Sequence, residues 1–184
     1  GGGLLGRQHS IAIAEHGGTP IILDIDLSKA ELVAEEIGDS FAVPALPYAC
    51  DITNQGSIED CMAAILGRTN RIDGLINNAA NNEKMEAGEE PTDTSLESFP
   101  LEQWNNEFAV GVTGSFLCSR VFGGHMAKNG SGVIVNISSD LGIISPDQRI
   151  YKVTGKPAKE QVYKPVSYSV IKHAVIGLTK YLAT

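Results

Sequence analysis

Apolar positions recur along the chain in two rhythms. Short continuous aliphatic runs suit strands buried on both faces, and longer stretches with an apolar residue every three or four positions suit amphipathic helices. PIILD at 20–24, ALPYACD at 45–51, DGLINNAA at 73–80 and GVIVNISS at 132–139 are the strand runs. The helical rhythm opens after GGGLLG at 1–6 and stops near Gly17-Gly18, where glycine favours termination. It returns at 27–38, at 57–68, from 100 to 126 with a bend around Gly111–Gly114, and at 166–183. The polar, acidic stretch 81–98 reads as a solvated loop. Residues 140–165, with prolines at 146, 157 and 165, read as a second long loop.

Strands alternating with helices mean βαβ units, hence a parallel sheet with helices on both faces in three α/β/α layers. With no internal repeat or second pattern, residues 1–184 are expected to form a single domain. The chain begins without methionine and ends inside a helical pattern, so it is expected to be incomplete at both ends.

Charge narrows the function. A net charge of −8 and a pI near 4.9 argue against a general binder of nucleic acid or anionic membrane. Phosphate on a cofactor is still compatible, because backbone N–H groups at a helix start can hold it without basic side chains. Cys50, Cys61 and Cys118 form no C-x-x-C, so neither a metal site nor a disulfide framework is expected, and a reducing, cytoplasmic setting is. The histidines 9, 16, 125 and 173 show no ligand spacing. No apolar run has the roughly 20 residues of a membrane span.

Glycines directly before a helix allow close backbone approach to a pyrophosphate. Gly1, Gly2, Gly3 and Gly6 offer such a turn, with Leu5 within it. Asp24 ends the next strand 18 residues after Gly6, where a carboxylate can accept both ribose hydroxyls and repel a 2′-phosphate. NAD is therefore expected ahead of NADP, which stays open. Asp26 competes for that place, and a helix cap is an alternative role for either residue. Asp51, with Ile52 after it, falls at the next strand end and could meet the adenine, or serve only a turn. Asn78, Ala79 and Ala80 follow the third strand. Ligands of open α/β sheets sit beyond such carboxyl ends.

Tyr168 and Lys172 stand four apart on a helix and share a face. Free tyrosine, with a pKa of about 10, is a poor base at neutral pH, and a nearby ammonium favours its phenolate. Tyr48, Tyr151 and Tyr163 have no lysine four residues on. Ser139, at the end of the preceding strand, could bond a substrate oxygen.

NNAA at 77–80, NISS at 136–139 and YSVIK at 168–172, in that order after a glycine turn, resemble the short-chain dehydrogenase/reductase family. The resemblance runs over essentially the whole chain. It implies a Rossmann-type doubly wound sheet and hydride transfer between a nicotinamide and an alcohol or carbonyl carbon. It makes Tyr168 the general acid/base, Lys172 the holder of the nicotinamide ribose and Ser139 the residue that orients substrate. It places Asn77 to Ala79 on the adenosine side and implies a homodimer or homotetramer. Within the family the likeness is to bacterial oxidoreductases of flagellin and surface-sugar modification, carried by the glycine spacing, the long loop before Tyr168 and the tail HAVIGLTKYLAT.

The chain departs from the family at Gly111, which stands where a helix asparagine anchors a proton-relay water. The interval of 29 residues from Ser139 to Tyr168 is also longer than usual, and the loop is expected to shape the substrate pocket. Three readings of activity remain: an alcohol or sugar-hydroxyl oxidoreductase, a nucleotide-sugar epimerase or dehydratase retaining NAD, and a non-catalytic dinucleotide sensor. The first leads, because a sensor has no need of Ser139, Tyr168 and Lys172 together.

The family's first strand lies in mid-sheet, and without it the neighbouring strands would expose unpaired backbone. Residues 1–184 alone are therefore expected not to fold stably, and a cooperative calorimetric transition of that chain would refute this.

Overall fold

The computed structural model describes residues 1–81, 94–157 and 161–184. Most of the acidic loop read at 81–98 therefore lies outside the described residues. The chain divides into two compact units, Gly1–Ala79 with Phe116–Val135, and Ala80–Ser115 with Asn136–Thr184.

In the first unit, α1 (Leu4–Glu15) follows the glycine turn and stops two residues before Gly17, which takes φ +75°. β1 (Ile21–Asp24) pairs in parallel with β2 (Leu46–Ala49), Ile21 opposite Leu46 and Asp24 opposite Ala49. Between them, α2 (Leu27–Ser40) starts at Asp26, whose carboxylate accepts the Ser28 N–H at 3.1 Å. That bond satisfies one of the orphan donors of a helix start. Ala30, Val33 and Ile37 recur at helical spacing and pack with Ala14 and Ile22 in one buried cluster.

α3 (Gln55–Thr69) is capped by Asn54, which accepts the Ser57 N–H, and ends at Asn70 in the left-handed region. Its inward residues Ile58, Cys61 and Ile65 join Cys50, Ile72, Cys118 and Phe122 in a second cluster. The three cysteines, distant in sequence, thus share one core as free thiols. Burial, with Cys50 nearby, pushes the Cys118 thiol up to about 12. Hydrogen bonding with Cys50 pushes Cys61 up as well, and burial adds to it. Among the described residues no group of three or more His, Cys, Asp or Glu could hold a metal ion.

β3 (Gly74–Asn77) pairs with β4 (Val133–Asn136), and the Val133 N–H donates to the Asp73 carbonyl at 3.1 Å. The strands therefore form two two-stranded sheets among the described residues, where the alternation led to one sheet.

The long helical stretch is resolved into α4 (Leu101–Phe108), α5 (Ser115–Cys118) and α6 (Gly124–Lys128), joined by π-helical turns at Ala109–Gly114 and Ser119–Gly123. The expected bend at Gly111–Gly114 is the first of these widenings, a form common at functional sites. In the second unit, α7 (Val166–Leu182) packs Ile171 against Gly111. A Cβ at 111 would lie 2.6 Å from Ile171 Cγ2. Glycine at 111 and isoleucine at 171 thus fit as a pair, and the asparagine of the family would collide there.

Alanine for glycine inside a helix normally gains about 1 kcal/mol. Gly111→Ala should instead lose about 1–3 kcal/mol through overpacking. In an Ile171→Ala background the same change should become stabilising. Urea unfolding of the four proteins reads the sign, and a stabilising Gly111→Ala in the native background would refute the packing.

Candidate functional site

The glycine turn and its acidic partners lie in the first unit. Gly1 and Gly2 press on the backbone of β1 and α2: an added Cβ would meet Leu23 O at 2.6 Å and Lys29 O at 2.6 Å. Gly6 admits no side chain either, its Cβ falling 2.1 Å from Gly1 O. Gly3 differs, for a Cβ there would find nothing within 4 Å. It is the N-cap of α1, has an extended backbone and makes no side-chain capping bond. A helix start without a capping side chain, open at its first residue, suits a phosphate group. Leu5, in the first turn, is exposed.

Asp24 is half-buried, with a side chain 16% exposed. Its Oδ2 accepts from the Gly1 nitrogen at 2.9 Å and the Gly2 N–H at 2.8 Å, and its Oδ1 accepts from Asp26 N–H at 3.0 Å. A carboxylate has about four acceptor sites, so about one is left for a ligand hydroxyl. Asp26 caps α2, accepts the Ser28 hydroxyl at 2.6 Å and pairs with Lys29, which is the helix-cap role weighed for it above.

Asp51 uses Oδ1 for a local turn, accepting Thr53 N–H at 2.9 Å and Thr53 Oγ1 at 2.7 Å. That is the turn role weighed for it above, and it leaves Oδ2 outside the turn. Ile52 is half-buried against the second core cluster. Asn77 Nδ2 donates to Ser119 Oγ at 3.0 Å and so ties β3 to the second π-turn. Asn78 Oδ1 is buried without a hydrogen-bond partner among the described residues, and Ala79 and Ala80 after it are exposed.

Ser139, Tyr168 and Lys172, the residues expected to carry proton transfer, lie in the second unit. Ser139 ends the stretch after β4 and caps a 3₁₀ turn, Asp140–Gly142. Its Oγ donates to Asp140 Oδ1 at 2.7 Å and accepts Leu141 N–H at 3.2 Å. The hydroxyl and the Leu141 N–H lower the Asp140 pKa.

Lys172, on α7, is 7% exposed. Its Nζ donates to the Ile137 carbonyl at 2.7 Å, and its own carbonyl accepts from Ser138 Oγ at 2.9 Å. Gly142 lets the turn close on this point, since a Cβ there would sit 2.7 Å from Lys172 O. Burial, with help from Lys164, pushes the Lys172 pKa down. Tyr168 is half-buried one turn earlier, its ring centroid 5.7 Å from Lys172 Nζ. Ser139 and Lys172 are thus held through adjoining residues, with Tyr168 on the same helix.

Three groups here escaped sequence reading. Ser138 has a structural bond where only its neighbour was assigned a role. The Ile137 carbonyl is invisible to any side-chain motif. Lys164, four residues before Tyr168, lies with Nζ 3.7 Å from the Tyr168 ring centroid. The spacing Lys164-x-x-x-Tyr168 is the signal the chain carries for it, with the lysine before the tyrosine instead of after it.

Comparison with known proteins fits this arrangement. The family model for short chain dehydrogenases matches residues 1–184. The chain is 32% identical over 145 residues to 2-(R)-hydroxypropyl-CoM dehydrogenase of Xanthobacter autotrophicus, covering 79% of this chain and 56% of that protein. It is 26% identical over 179 residues to D-threitol dehydrogenase of Mycolicibacterium smegmatis, covering 97% of this chain and 59% of the relative. The chain thus spans a little over half the length of these relatives. The crystal structure of NAD⁺-bound xylitol dehydrogenase superposes with TM-score 0.80 at 22% identity, over 99% of this chain and 62% of that one, which establishes the Rossmann-type α/β fold. With a full-length family match and a shared fold, the chain belongs to the short-chain dehydrogenase family.

Proposed function

We propose that this chain carries the cofactor-binding and catalytic residues of an NAD(H)-linked oxidoreductase acting on a secondary alcohol or carbonyl of a small polyol, sugar or nucleotide sugar. The observation that carries the reading is the fixation of Lys172, buried and tied through both its ammonium and its carbonyl to the segment that bears Ser139. A lysine serving only solubility would not be taken out of water in this way, given the cost of burying its charge.

The open, uncapped start of α1 at Gly3 fits the pyrophosphate, and Asp24 fits a ribose hydroxyl. When bound, the nicotinamide supplies or accepts the hydride. Tyr168 gives or takes the hydroxyl proton of the substrate, Ser139 orients the same oxygen, and Lys172 holds the nicotinamide ribose while keeping positive charge beside the phenol. The carboxylate at Asp24 repels a 2′-phosphate and so favours NAD over NADP. Relatives named for D-threitol and sorbitol support a polyhydroxylated substrate. The three free thiols support a cytoplasmic setting, and no described helix is long and apolar enough to cross a membrane. Family likeness supports a homodimer or homotetramer.

The test is a screen of polyols, sugar alcohols and nucleotide sugars with NAD and NADP, read by reduced-nicotinamide absorbance. Tyr168→Phe should lower kcat by about 10²-fold or more while NADH affinity, read by fluorescence, stays within about twofold. Full turnover in that variant would remove the assignment of Tyr168.

Asp24→Ala should narrow the ratio of kcat/KM for NAD over NADP by about tenfold, since one lost charged contact is worth on the order of 1–2 kcal/mol. An unaltered ratio would take cofactor choice away from Asp24.

A further inference from the structure

Lys164 comes from the long segment between the Ser139 turn and α7. Lysines in such loops ordinarily extend into water. This one is half-buried, and its Nζ lies closer to the Tyr168 ring than Lys172 does, 3.7 Å against 5.7 Å from the centroid.

The backbone of Tyr163 and Lys164 is held at both N–H groups and both carbonyls. Gln148 accepts the Lys164 N–H at 2.8 Å through Oε1 and donates to the Lys164 carbonyl at 3.1 Å through Nε2. Thr94 Oγ1 does the same for Tyr163, accepting its N–H at 2.9 Å and donating to its carbonyl at 2.7 Å. Gln161, itself buried, accepts the Val153 N–H at 2.8 Å and donates to the carbonyls of Val153 and Lys156. These side chains replace the ladder that a loop lacks. Loop and ring are therefore in a defined relation.

Charged groups face Lys164 from two other elements. Asp140, beside Ser139, and Glu107, buried on α4, both favour its charged form and work against burial, which on balance lowers its pKa. Among the described residues Lys164 makes no ion pair. Its ammonium is committed to the ring face.

We propose that Lys164 is a positioning residue for proton transfer: it holds the Tyr168 ring by its face and places a second positive charge beside the phenol. This rests on Tyr168 being the acid/base of the reaction. A cation over a ring binds an anionic phenolate more tightly than a neutral phenol, so the contact strengthens as charge develops during turnover. The long loop thereby acts on chemistry as well as on pocket shape.

The experiment compares Lys164→Met, Lys164→Arg and Tyr168→Phe in the full protein, with NAD and the most rapidly oxidised alcohol of the screen. Lys164→Met should lower kcat by about tenfold or more with KM for NAD within about twofold, and Lys164→Arg should recover most of the loss. Lys164→Gln removes the same charge and replaces the methionine variant if that one fails to fold. A pH profile adds a readout that loss of packing would not move. Lys172 is depressed by burial and by its Lys164 neighbour, so without Lys164 it keeps its proton to higher pH. The alkaline limb of kcat/KM should accordingly move upward. Native kcat with an unmoved limb in Lys164→Met, or Lys164→Arg no better than Lys164→Met, would overturn the proposal while Tyr168→Phe stays inactive. An active Tyr168→Phe would instead overturn the acid/base assignment beneath it.

Discussion

The buried lysine on the last helix is the constraint from which the rest of the second unit follows. An ammonium out of water needs a strong acceptor, and the Ile137 carbonyl supplies it at 2.7 Å. The carbonyl is free for that bond because the chain has left β4 one residue earlier. Ser138 returns a bond to Lys172, and Gly142 permits the turn to close without a clash. Ser139 is thereby held in a capping position, one residue from an anchor on α7, while Tyr168 lies one helical turn away on the same helix. The placement of Ser139 beside α7 follows from how one charge is satisfied.

A second theme is compensation between neighbouring positions. Gly111 is matched by Ile171, whose methyl group occupies the space a Cβ would need. The π-helical turn around Gly111 widens the helix at the same place. A larger residue at 111 would meet that methyl group. In the same unit, Lys164 brings positive charge to the Tyr168 ring from the loop before α7.

In the first unit, close backbone packing decides which glycines have room around them. Gly1, Gly2 and Gly6 are glycines because β1, α2 and the turn itself leave no room for side chains. Gly3 has room, which separates it from the packing glycines beside it. Asp24 and Asp26 divide in the same manner, one turned to the glycine turn and the other used as a helix cap.

Periodicity alone located each described strand and α-helical stretch within a few residues, because burial on two faces or on one stripe is a local property of sequence, and it missed the 3₁₀ turns at Asp140–Gly142 and Gln148–Tyr151, which are too short to show a period. It also isolated Tyr168 and Lys172, since an i, i+4 pair is set by helix geometry without reference to the rest of the chain. Tertiary structure alone decided which aspartate faces the glycine turn, that three scattered cysteines share a core, that the described strands pair two and two, and that Lys164 lies on the Tyr168 ring. Those outcomes depend on contacts between residues far apart in sequence, where the free energy comes from desolvation and packing that no local pattern records.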